Sequence, residues 1–238
     1  TFVGSGEPTL YEDLKDLLKK AREFSKKPIA VITNGSLLNI KEVQDALMLS
    51  DLVLPSLDAG NKQSFIRINR PHPSINFEDM LEGFINFRNI FSSKFWIEVM
   101  LVRGVNDSKE ELLKIKEKID LINPNRIDIN VPIRPPAEKW VKIPDKETLS
   151  LLNKIFVDYK NINFPEEGKF SIYSSDLEKE LLSILERHPM RQDQIIETFS
   201  SAKFTEDEII IYLKQLKSLK KIKDILYNDQ IFWKLEIN

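Results

Sequence analysis

The sequence contains no cysteine, which excludes disulfides, thiolate catalysis and cysteine-ligated metal within its 238 residues. It also lacks an excess of either charge. With 35 Lys and Arg against 37 Asp and Glu, the net charge of -2 creates no global basic field that draws the chain onto nucleic acid or anionic lipid, so any such contact is local. No apolar run approaches the ~20 residues of a membrane span, and we expect no signal peptide before the first apolar segment. The expectation is a cytoplasmic protein with no membrane partner. The chain opens at Thr1 inside an apparent strand and without a leading Met, from which we expect that upstream sequence has been removed. What is present is a hydrophobic content of 42%, enough for a real core, in a length that accommodates one α/β domain and a smaller one.

Thr1-Phe-Val-Gly-Ser-Gly-Glu-Pro-Thr-Leu10 organises the rest. Phe2 and Val3 read as the end of a buried strand, Gly4 and Gly6 permit a sharp turn, and Pro8-Thr9 lead into a helix. Glu7 then stands at a strand's carboxyl end, where parallel α/β sheets bind ligands, and its carboxylate beside exposed backbone can receive an ammonium group. An ordinary βα turn explains these ten residues equally well. A dinucleotide-binding loop does not, because G-x-G-x-x-G requires glycine where Thr9 stands.

Thr9 with Glu12 predicts a capping box for a helix reaching about Lys26. Ile29 to Thr33 is a continuous apolar run, the pattern of a strand buried on both faces, and Asn34-Gly35 offers an amide and bare backbone at its end. Asp51 to Leu57 is a third strand. Ser56 and Asp58 at its end suit ribose hydroxyls, although Asp58 equally suits a helix cap. The prolines around Arg67, Arg70 and His72 predict an irregular segment whose arginines either hold a carboxylate or are solvated. Asn76 to Phe91 is a helix with Ile90 expected inward. Phe95 to Val102 is a fourth strand in which Glu98, a carboxylate among apolar neighbours, needs a partner or a cavity. Ser108 with Glu111 caps the next helix, and Arg126 to Val131 is a fifth strand whose Asp128 and Asn130 suit a wet inner face. Arg134, in the stiff Pro-Ile-Arg-Pro-Pro segment, points either inward over the pocket mouth or to solvent. A helix from Asp145 to Tyr159 and a short strand Lys169 to Tyr173 follow. This alternation fits an incomplete βα barrel or an open doubly wound sheet.

From Ser175 the style changes. Three short helices, capped at Ser175 and Thr205 and broken at His188-Pro189, precede a hairpin from Ile222 to Ile237, which resembles a winged helix-turn-helix. Lys214, Lys217, Lys220, Lys221 and Lys223 cluster there, but acidic residues balance them across the tail.

Taken jointly, these motifs resemble the radical SAM superfamily. GSGEPTL resembles the glycine-rich motif after the second barrel strand, Thr33-Asn-Gly35 the end of the third, Ser56-Leu-Asp58 the ribose-binding end of the fourth, and Gly104-Val-Asn-Asp107 the turn after the fifth. The likeness is greatest to uncharacterised iron–sulfur oxidoreductases related to the wyosine-forming tRNA enzymes. It implies an α/β fold: an incomplete (β/α) barrel of radical SAM type lacking its first βα unit over residues 1–174, with a small winged-helix domain over 175–238. It further implies S-adenosylmethionine (SAM) bound by Gly4, Ser5, Gly6 and Glu7 at its amino group. Asn34, Ser56 and Asp58 would surround its methionyl and ribose parts, and Arg70 or Arg67 its carboxylate.

Glu98, Asn130 and Arg134 are the substrate-pocket candidates. No catalytic residue or metal ligand is assigned, because the [4Fe–4S] cluster of such enzymes sits on a Cys-x-x-x-Cys-x-x-Cys loop that this sequence does not contain. The intact protein would then take an electron from a donor, cleave SAM to a 5′-deoxyadenosyl radical, and act on an unknown substrate, a tRNA base or a protein. This chain alone would be inactive, and its open sheet edge invites self-association. The alternative is a non-catalytic protein that binds SAM or a partner and keeps the winged helix as an interaction module.

Overall fold

The computed structural model describes residues 1–3, 6–157, 160–161, 176–200 and 204–236. Gly4, Ser5, the expected strand Lys169 to Tyr173 and Ser175 lie outside them, and the capping role expected of Ser175 is taken by Asp176, which accepts the Lys179 N–H. Two compact units result, one of residues 1–132 with 140–163, the other of 133–139 with 164–238.

In the first unit the strands are β1 (Ala30–Thr33), β2 (Leu52–Pro55), β3 (Lys94–Met100), β4 (Arg126–Asn130) and β5 (Lys160–Asn161). All adjacent pairs are parallel, and the spatial order follows the sequence order. Phe2 extends the sheet beyond β1 through a parallel bridge to Val31. A doubly wound sheet reverses direction at a switch point; this one never does, so the winding is that of a barrel.

Side-chain alternation separates the two faces. Val31, Val53, Phe95, Ile97, Val99, Ile127 and Ile129 are wholly buried beneath the helices. Ala30, Ile32, Leu52, Leu54, Trp96, Glu98 and Met100 on the other face are only half-buried. The continuous apolar run of β1 therefore does not mark burial on both faces, since its inner face remains partly accessible. Beneath the helices, Phe84 and Phe87 meet Phe95 edge-on, and Phe87 stacks on Phe91 at 4.9 Å between ring centres.

The helices are α1 (Leu14–Phe24), α2 (Lys41–Leu47), α3 (Lys62–Asn69), α4 (Phe77–Ile90), α5 (Lys109–Ile122) and α6 (Lys146–Ile155). Asn61, Asn76, Ser108 and Asp145 cap α3, α4, α5 and α6 by accepting main-chain N–H groups of the first turn. Three expectations are corrected. Thr9 and Glu12 form no capping box; Pro8–Leu10 is a 3-10 turn and α1 starts at Leu14, because Thr9 gives both its donors to Glu7. The segment around Arg67 is helical, ending only where Arg70 adopts a left-handed conformation before Pro71, which disfavours continued helix. Ile90 is 50% exposed, since it closes the last turn of α4 and turns away from the phenylalanine cluster.

The second unit holds α7 (Leu177–Arg187), β6 (Met190–Arg191), α8 (Gln192–Ser200), α9 (Glu206–Ser218), β7 (Ile222–Tyr227) and β8 (Gln230–Leu235). The three strands form an antiparallel sheet in the order β6-β8-β7. Leu181, Ile184, Phe199, Ile209, Leu213 and Trp233 lie in its core. Thr205 and Glu208 complete the expected capping box at α9. Among the described residues no helix is long and apolar enough to cross a membrane.

Candidate functional site

The carboxyl ends of β1 to β4 carry the polar residues. Glu7 reaches the end of β1, where its Oε1 accepts from Thr9 N–H at 3.0 Å, Thr9 Oγ1 at 2.7 Å and Thr33 Oγ1 at 2.5 Å. Among the described residues its Oε2 accepts only the Asn34 N–H, at 2.6 Å, which leaves acceptor capacity on that oxygen. Gly35 follows with φ +75°, and a Cβ there would lie 2.2 Å from the Phe84 ring, so both conformation and packing demand glycine. Asn34 Oδ1 accepts the Ser36 N–H and stiffens the same turn.

At the end of β2, Ser56 bridges in parallel to Glu98 of β3. Asp58 does not cap α3, a role taken by Asn61; its Oδ1 accepts Met100 N–H at 2.8 Å and its Oδ2 accepts Asn69 Nδ2 at 2.8 Å. Burial raises the Asp58 pKa, and those two hydrogen bonds oppose the rise. Glu98 is likewise raised, first by burial and then by the Asp58 charge, against a hydrogen bond from Asn130 that favours its ionised form. Asp128 and Arg126 pair at 2.6 Å beside it, and the Arg126 guanidinium lies 4.5 Å from the Trp96 ring centre. The inner face at β3 and β4 is thus polar, but it is not wet at Asp128, which is buried against Arg126; Asn130 is half-buried.

A cavity of about 410 Å³ opens beside the end of β1, walled by Asn34, Phe65, Asn69, Arg70, His72 and Met80 among others. Of the residues singled out from sequence, Asn34 and Arg70 line it directly. Glu7 joins it through the Asn34 N–H, and Asp58 through Asn69. Ser56, Glu98 and Asn130 continue along the strand ends, while Arg134 belongs to the second unit.

Two contributors went unseen in the sequence. Asn69 donates to Asp58, yet its Oδ1 is buried and has no hydrogen-bond partner among the described residues. Asn106, wholly buried, accepts from Val102 N–H and donates to the carbonyls of Asp58 and Met100, locking the β2 and β3 ends together. Asn106 belongs to the Gly104-Val-Asn-Asp107 turn already noted, so a signal existed; for Asn69, one polar residue on a helix, none did.

Residues 1–115 match the radical SAM superfamily. A UPF0026 protein of Methanocaldococcus jannaschii is 33% identical over 238 residues, covering 98% of this chain and 73% of that protein. A Brachyspira hyodysenteriae protein named GTPase Obg is also 33% identical, over 244 residues, but the chain spans only 35% of its length. The present sequence contains no G-x-x-x-x-G-K-[ST] run, so that name gives no reason to expect a nucleotide-phosphate loop here. Among solved structures, a domain of pyruvate-formate lyase-activating enzyme from Bacteroides vulgatus superposes with a TM-score of 0.55 at 22% identity, over 69% of this chain and 97% of that one. That likeness concerns the fold.

Proposed function

The chain belongs to the UPF0026 family and, through its first half, to the radical SAM superfamily, and from that premise we propose that the β1-end cavity binds S-adenosylmethionine. The observation that carries the reading is Asn69: a buried carbonyl oxygen without a donor costs on the order of 1–3 kcal/mol, and a ligand N–H or hydroxyl reaching it would recover that cost. The residues present fit the ligand's chemistry. Glu7 Oε2 suits its ammonium, Arg70 its carboxylate, and the Asp58–Asn69 pair a ribose hydroxyl, while Phe65 and Met80 supply an apolar wall.

The cluster does not fit: a [4Fe–4S] centre is held by cysteine thiolates, and the sequence has none. Reductive cleavage of the bound cofactor would therefore need ligands from outside these 238 residues, so the role assigned to this chain is to bind and orient SAM. The half-buried Glu98 and Asn130 on the inner face would then meet the substrate. Residues 175–238 fit a winged helix, with α7, α8 and α9 followed by the β7–β8 wing, and we assign that module to substrate or partner presentation.

Calorimetry of SAM against the 238-residue chain tests the reading. Asn69→Ala should weaken binding about tenfold, the equivalent of roughly 1.4 kcal/mol, and should lower the melting temperature only by the loss of its hydrogen bond to Asp58, leaving the chain folded. Unchanged affinity removes the cavity from consideration.

A further inference from the structure

The second unit carries a cavity of about 470 Å³ that plays no part in the reading above. Arg187 and His188 at the end of α7 line it, together with Lys223 of β7 and Lys234 of β8. The strand register places Lys223 directly opposite Lys234. Like charges at such a position destabilise a sheet, and both side chains are half-buried, where water screens them less. Compensation is partial. Glu236 lies 3.7 Å from Lys223, beyond hydrogen-bond range, and among the described residues Glu186 is the one carboxylate in the wall. The Arg187 guanidinium uses Nε and one terminal nitrogen on Ser183 and keeps further N–H groups for another acceptor.

This concentration of positive charge does not follow from a basic chain, since the net charge is -2. It also differs from the lysines of α9 and its end. Lys217 is paired with Asp224, and Lys221 with Glu178.

The remaining walls are flat and apolar: Pro135, Pro136, Ala137, Leu185, Pro189 and Leu235. A bare inorganic anion would use the cations and leave those walls unoccupied. We propose that this cavity is a binding site for a nucleotide unit, its phosphate held by Lys223, Lys234 and Arg187 and its base or sugar laid against the prolines. An anion between the two lysines turns their repulsion into shared attraction, so the opposed pair suits an occupied site and costs stability in an empty one. The cavity volume falls within the range of small-molecule sites.

The experiment is calorimetry of adenosine 5′-monophosphate with the full 238-residue chain. The expected result is that Lys223→Gln/Lys234→Gln weakens binding at least tenfold, whereas Lys214→Gln/Lys220→Gln does not. Asn69→Ala should also leave it intact, which separates this site from the SAM cavity. Adenosine without phosphate should bind at least tenfold more weakly than the monophosphate. The lysine double variant should melt at the same or a higher temperature than the parent at low salt, showing that lost binding is not lost folding. A uridine tetranucleotide that binds more tightly than the mononucleotide, with the same lysine dependence, assigns the phosphate to a strand; equal or weaker binding assigns it to a free nucleotide. No binding at millimolar concentration, or binding indifferent to Lys223 and Lys234, overturns the proposal.

Discussion

Among the described residues four donors converge on the Glu7 carboxylate and tie the turn before α1 to the end of β1, so this side chain holds the backbone that it also offers to a ligand. Glu7→Gln tests both roles. An amide has one acceptor oxygen, and its NH2 must face either the Asn34 N–H or the three donors at Oε1. Denaturant unfolding should show a loss of about 1–3 kcal/mol. Glu98 behaves in the opposite sense. Burial and the Asp58 charge raise its pKa in the folded state, so the native protein holds this proton more tightly than the unfolded chain does. Its contribution to stability then falls as pH rises from the ordinary glutamate value of 4.5 through the raised one, and the ionised form is a net cost above both. Glu98→Gln should therefore raise the melting temperature at neutral pH by ~2–4 °C, with the gain vanishing below the ordinary glutamate range. A gain that persisted in acid would mean that burial of the charge is not its cause.

Single elements carry their own constraints. The loop after β1 runs against α4 at Gly35, where an added Cβ would meet Phe84 Cζ at 2.2 Å in a backbone conformation of φ +75°. Gly35→Ala should cost about 2–4 kcal/mol in denaturant unfolding, and Phe84→Leu in the same chain should return only part of it, because the backbone strain remains. At the wing tip, Asn228 and Asp229 both have positive φ, 48° and 60°, as a two-residue turn matched to the strand twist requires. Asp229→Gly should stabilise the second unit by about 0.5 kcal/mol, since glycine meets that conformation without a Cβ penalty. Glu178 on α7 accepts from Tyr212 of α9 at 2.7 Å and pairs with Lys221 just before β7, joining three elements. The phenol is pushed up to about 12, by burial first and by Glu178 second.

For the whole molecule, the lysine cluster that a winged-helix reading places near nucleic acid is partly spent on the protein itself. Lys217 pairs with Asp224 and Lys221 with Glu178. Random duplex DNA should accordingly bind weakly and with a shallow salt dependence in fluorescence anisotropy, because few phosphate contacts remain to release counterions. Steep, tight binding would contradict this distribution of charge.

Much of the architecture was legible because local chemistry dictates it. Asn76, Ser108, Asp145 and Thr205 announced their helices by satisfying first-turn N–H groups, and the β-branched runs announced strands. The alternation of the two set the α/β class, and Glu98 declared itself as a carboxylate in an apolar strand. What the chain order could not decide was the direction of each crossover. A barrel and a doubly wound sheet share one alternation of elements, and only the packed strand order separates them.

The helix around Arg67 was hidden because neighbouring prolines signal irregular backbone, while Asn61, fifty residues from the Glu111 side chain it also holds, starts the helix earlier. Asn69 likewise became visible only when Asp58 took one end of its amide and left the other without a partner. Caps, periodicity and motif spacing act over a few residues and are written in the sequence; the order of strands, an orphaned acceptor and two lysines face to face depend on which distant segments meet, and only the folded chain decides that.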